Sequence, residues 1–158
     1  MGVASIITDY TGRLKDISIL QYPDASKIEA QTVLPKFGKI PRFCAGVQKL
    51  VQRYTIMLLT NINSQVKYPD FGTSFLYTLQ GGTDPTDSLL ASQIFAEANY
   101  ITVKTLLFYQ TQKDSPADER IVKATLENIS LMGGYVSFDV SLTTEAEDVI
   151  DFVVPLPK

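Results

Sequence analysis

The stretch Tyr135-Val136-Ser137-Phe138-Asp139-Val140-Ser141-Leu142-Thr143-Thr144 decides the fold. Val136, Phe138, Val140 and Leu142 alternate with Ser137, Asp139, Ser141 and Thr143, the period of a strand with one buried and one wet face. Met132-Gly133-Gly134 just before it is a hairpin signal, so Ile121 to Leu131 reads as an antiparallel neighbour. Glu145-Ala146-Glu147-Asp148 then turns the chain into a last strand, Val149 to Val154, which Pro155 and Pro157 are expected to stop. Residues 121–154 therefore predict an antiparallel meander.

Upstream the period changes. Over residues 42–60, Phe43, Val47, Leu50, Val51, Tyr54, Met57 and Leu58 lie on one side of a helix, and Gln48, Lys49, Gln52 and Arg53 lie on the other. Residues 84–112 open with Asp84 as N-cap, Pro85 at the first helical position and Asp87 near the positive end of the helix dipole. Tyr100-Ile101-Thr102-Val103 has strand propensity, which makes a strand over 100–112 the alternative. Continuous helix is favoured because no turn residue interrupts the run before Asp114-Ser115-Pro116. Between the helices Pro69-Asp70-Phe71-Gly72 ends a loop, Ser74 to Leu79 is a short apolar turn, and Gly81-Gly82 breaks the chain. Residues 1–41 read as an extended arm. It holds a short strand around Ile17 to Gln21, a Tyr22-Pro23-Asp24 turn, a second strand from Glu29 to Leu34 and a loop from Pro35 to Pro41. The expected fold is α+β: two main helices packed on a small antiparallel C-terminal sheet over residues 42–158, with the arm over 1–41.

Composition excludes much chemistry. Among 158 residues there is no His, no Trp and one Cys, and 14 basic against 17 acidic residues leave a net charge of −3. Without His there is no Ser-His-Asp triad, Cys-His pair or His-based metal site. One thiol forms no internal disulfide, and Cys44 is expected as a small buried thiol in a chain made in a reducing compartment. Mild acidity argues against nucleic-acid binding through a basic face. The N-terminus shows no secretory pattern, Gly2 lacks a second lipid signal, and Ile56 to Leu59 is far short of the about 20 apolar residues that span a bilayer. Gly81-Gly82-Thr83-Asp84 lacks the lysine and spacing of a phosphate loop. No cofactor or metal is expected.

The order of these motifs resembles the baseplate wedge family of contractile phage tails, the sheath initiators, some of which carry a "lysozyme-like" label. Four stretches carry the resemblance: Val47 to Arg53 running into Leu58-Leu59-Thr60; Tyr68-Pro69-Asp70-Phe71-Gly72-Thr73, similar to the family's Pro-x-Phe-Gly turn; Asp118-Glu119-Arg120-Ile121, similar to its Glu-Pro-Arg-[Ile/Val] element; and the closing meander with its Val-Val-Pro-Leu. It covers about residues 43–157. Glu119 stands where the family has proline, and the arm has no counterpart. The resemblance implies a non-enzymatic virion component of the tail baseplate, assembled in the bacterial cytoplasm and placed sixfold around the tail axis. Its implied partners are other wedge subunits and tail sheath subunits, with tube or hub proteins as further neighbours, and neither nucleic acid nor membrane.

Three groups are candidate partner-binding residues. Val149, Ile150, Phe152 and Val154, with Val153, form either a sheet edge that accepts a partner strand or an ordinary core strand. If they form an edge, deleting residues 148–158 is expected to leave a folded helical domain. Arg120, followed by Ile121, is either an anchor between subunits or a solvated Arg paired with Asp118 or Glu119, a contact worth about 0–1 kcal/mol. Asp70, Phe71 and Gly72 form a turn whose Phe anchors a partner or plugs the protein's own core. A glycosidase would need two carboxylates flanking a cleft, and only Glu97 and Glu127 lie in the middle of elements, so no catalytic residue is assigned.

Overall fold

A computed structural model describes residues 2–3, 10–21, 31–32, 34–35, 42–81, 87–132 and 135–157. The expected turn at Tyr22-Pro23-Asp24, most of the loop from Pro35 to Pro41, and the residues Gly82 to Thr86 and Gly133-Gly134 lie outside them. In chain order the elements are β1 (Gly2–Val3), β2 (Asp16–Ser18), β3 (Leu20–Gln21), β4 (Gln31–Thr32), β5 (Leu34–Pro35), β6 (Arg42–Cys44), α1 (Gly46–Leu59), α2 (Phe75–Gln80), α3 (Ser88–Thr111), a 3-10 turn (Ala117–Glu119), β7 (Ile121–Met132), β8 (Tyr135–Thr144) and β9 (Asp148–Pro157).

The fold is α+β. β7, β8 and β9 form the expected meander, closed at the hairpin by the pair Met132–Tyr135. Val136, Phe138, Val140 and Leu142 are buried, and their alternating partners are only partly covered. β9 is longer than its prolines suggest and runs through Pro155, opposite Ser137, to Pro157, opposite Tyr135. Proline is tolerated on an outer strand, where its missing N–H need not break a ladder bond. The helices cover the buried face. Phe75 of α2, Phe95 of α3 and Phe138 of β8 meet with ring centroids 5.2–5.8 Å apart, and Tyr54 of α1 stands edge-on to Phe152 of β9 at 5.8 Å. Such aromatic pairs add about 0.5–1.5 kcal/mol each beyond area burial.

α3 is one uninterrupted helix across Tyr100 to Val103, so tertiary burial of Ala98, Thr102 and Leu106 overrides the local strand propensity. It starts later than expected. Asp87, not Asp84, is its N-cap, accepting from the amides of Leu89 at 3.0 Å and Leu90 at 3.1 Å. α1 also starts late, at Gly46 rather than residue 42, because Arg42–Cys44 is drawn into an antiparallel pair with Asp16–Ser18. Phe43 consequently leaves the helix face and lies 41% exposed, under the Lys15 ammonium at 4.5 Å. Cys44 is buried as expected.

The larger correction concerns the polar side of α1, expected to face water. Gln48, Lys49 and Gln52 are buried at 8%, 2% and 4% exposure. The segment 10–21 lies over them. The Gln52 amide donates to the Ile17 carbonyl at 2.9 Å and accepts from the Ile19 amide at 2.9 Å. Lys49 donates to the Leu14 carbonyl at 2.6 Å, and Arg53 pairs with Asp16 at 3.1 Å. The arm is therefore an arm only in part, because residues 10–21 are bonded to the helical domain.

Candidate partner-binding site

The outer edge of β9 is occupied along part of its length. β1 pairs with it in parallel at Asp148 and Val149, and β4 pairs in parallel at Phe152 and Val153. Each contact is only two residues long. Along β9 the side chains alternate between the core and the outer face of the sheet. Phe152 and Val154 point into the core at 0% and 1% exposure, with Leu156 at 6% and the half-buried Ile150 packed against the same cluster, while on the other face Val149 and Val153 are half-buried and Asp151 is exposed. Deleting residues 148–158 thus removes three core side chains, which corrects the expectation of a folded remnant. What a partner can read on β9 is its backbone edge rather than the side chains of Phe152 and Val154.

β7, the other outer strand, begins closed. Ile121 is buried at 1% exposure. The Gln110 side chain acts as a one-residue strand against it, accepting from the Ile121 amide at 2.7 Å and donating to the Ile121 carbonyl at 3.3 Å. Asn99 donates to the Ala124 carbonyl at 2.8 Å and accepts from the Tyr54 hydroxyl at 2.7 Å. Burial pushes the Tyr54 phenol well above its usual range, so it remains a donor. Amides from α3 thus satisfy backbone groups that an edge strand would otherwise present. Ile121 is a core residue and is corrected as a partner contact.

Arg120 pairs with neither expected acid. Its guanidinium meets Glu145 at 2.8 Å, its carbonyl accepts from the Glu145 amide at 3.0 Å, and its buried Nε has no partner among the described residues. Asp118 is held by Arg13 at 2.8 Å. Glu119 is buried, with one oxygen on Lys49 at 2.6 Å and the other accepting from the Gly46 amide at 2.9 Å. That carboxylate caps α1, whose own N-cap, Ala45, has no side-chain acceptor. Sequence reasoning missed this pair because its members lie 70 residues apart. The only available signal was an alanine where a capping residue belongs.

In the loop after α1, Gly72 takes φ +112°, and a Cβ there would collide with the Thr60 carbonyl oxygen. Thr73 locks the loop to the end of α1 by donating to the Leu58 carbonyl at 2.7 Å, and its hydroxyl accepts from the Phe75 amide at 3.1 Å. Asp70 is exposed, and the amide of Phe75 is capped by Thr73. Phe71 is half-buried and does not enter the core cluster. It lines a groove of about 480 Å³ between α1, the loop and the end of α3, together with Leu50, Arg53, Tyr68, Tyr109 and Lys113. The one carboxylate on its wall is Glu119, which is committed to Lys49. Glu97 and Glu127 are both exposed outside this groove, and Glu127 accepts from the Thr125 hydroxyl at 2.8 Å. The described residues hold no group of three or more His, Cys, Asp or Glu able to bind a metal, and no helix among them is long and apolar enough to cross a membrane.

No protein-family model, curated protein or solved structure matches the chain.

Proposed function

We propose that the protein is a non-enzymatic component of a contractile-tail baseplate wedge that joins the wedge to the first sheath ring. In this reading the outer edge of β9 receives an extended partner strand. The observation that carries it is the pairing of that edge with two separate two-residue pieces of the chain's own N-terminal segment. Two such pieces place few backbone bonds on β9, whereas one continuous partner strand would place a longer ladder there. The edge narrows towards the C-terminus, where Pro155 and Pro157 have no N–H to offer. The strand-receiving stretch is therefore Asp148 to Val153, and β1 and β4 stand in for the partner until it arrives.

Arg120 and the Phe71 groove fit the wedge side of the same role. Arg120 sits at the start of the sheet with its partly exposed guanidinium held by Glu145, and the groove presents Phe71, Tyr68 and Tyr109 beside Arg53 and Lys113. Quantitative mass spectrometry of purified tail particles tests the proposal. About six copies per particle are expected from closed cyclic symmetry. Absence of the chain from particles overturns it.

A further inference from the structure

α3 has apolar side chains on two opposite sides. Ala91, Phe95, Ala98, Thr102 and Leu106 face the core. Across the helix Leu89, Tyr100 and Phe108 are 68%, 65% and 59% exposed, and Leu107 is 40% exposed. A surface helix normally turns a polar side to water, and one that is apolar all round is usually buried all round.

The charges on α3 indicate what covers the outer side. The helix holds only one acid, Glu97, and one base, Lys104. They are seven positions apart, about two turns, and so share the outer side with Tyr100 between them. Both are exposed, and neither forms an ion pair among the described residues. The Lys104 ammonium lies 5.8 Å from the centre of the Tyr100 ring. This pattern is complementary to its own reversed copy. When two α3 helices run antiparallel about a two-fold axis at residues 100–101, Glu97 of each stands level with the partner's Lys104. The two Tyr100 rings then meet at the axis, and Leu107 of each lies over the partner's Ala96 and Gln93. A parallel arrangement in register would oppose like charges.

We propose that the outer side of α3 is an isologous dimer interface, in which a second copy of this chain packs antiparallel on the first through Glu97, Tyr100, Lys104 and Leu107. The apolar residues supply the contact, and the two equivalent ion pairs set its direction. The proposal concerns α3 in the free chain, since a ring with one copy per sixfold position has no two-fold axis for this contact, and it does not depend on the role given to β9.

Sedimentation equilibrium of the full chain over a wide concentration range tests it, with circular dichroism to verify folding, since all the substituted side chains are exposed. Wild type is expected to show a monomer–dimer equilibrium. Glu97→Lys or Lys104→Glu alone turns both ion pairs into like-charge contacts and should weaken dimerisation about tenfold. Glu97→Lys combined with Lys104→Glu should restore it, because the exchanged pair is again self-complementary. A wild-type chain that is monomeric at every concentration overturns the proposal. So does a double exchange that is no better than either single one.

Discussion

α1 is buried on two sides by opposite means. On one side Val47, Leu50, Val51, Tyr54 and Leu58 pack into the hydrophobic cluster. On the other, Lys49 and Gln52 are equally buried, but against carbonyls, an amide and a carboxylate. The apolar side needs volume and shape, and many side chains supply those. The polar side needs each donor matched to one acceptor, because an unmatched group keeps its full desolvation cost. Equal burial on the two sides of α1 therefore does not mean equal tolerance to substitution.

Near-isosteric replacements break this comparison most sharply. Glu119→Gln keeps the shape but strands the buried Lys49 ammonium, whose side chain is 3% exposed, and should cost about 3–5 kcal/mol in chemical denaturation. Leu58→Met, a swap of similar size at a fully buried apolar site, should cost less than about 1.5 kcal/mol. Comparable losses from the two would erase the distinction. Gln52→Ala removes two hydrogen bonds to residues 17 and 19 and should cost about 1–2 kcal/mol, while increasing amide exchange in segment 10–21 more than in β8.

The smallest effect at neutral pH belongs to Tyr54. Its phenol is held protonated in the folded chain, so the unfolded chain releases that proton first as pH rises past the ordinary value of 10.0. The associated stability is intact below that value and is lost above it. Thermal melts of wild type should fall between about pH 10 and 11, and Tyr54→Phe should flatten that part of the curve.

The two sides of α1 were also unequally legible in the sequence. The apolar side and the β8 alternation are local periodicities, and the residues that write them are the residues that pack. The polar side reads as solvated because its partners lie 33 to 70 residues away in segment 10–21 and at Glu119. No spacing within the helix reports them. The same holds for Gln110 and Asn99, ordinary surface amides by sequence, which in three dimensions close the start of β7. On β9 the alternation separated core from outer positions less clearly, because Val149 and Val153 on the outer face are as apolar as Ile150, Phe152 and Val154 on the core face. The pairing of β1 and β4 along that strand had no sequence signature, since two-residue strands have no period to detect.

In the proposed role the outer edge of β9 is a strand acceptor kept occupied by the chain's own N-terminal segment. Val3 and Val149 are directly paired across that edge, so Val3→Cys with Val149→Cys should form a disulfide that holds β1 in place. The locked protein is tested on baseplates assembled without the wild-type chain, with sheath subunits added before and after reduction. Sheath rings are expected to form only after reduction frees the edge. Sheath growth that is equal in the two states, or absent from both, would contradict it.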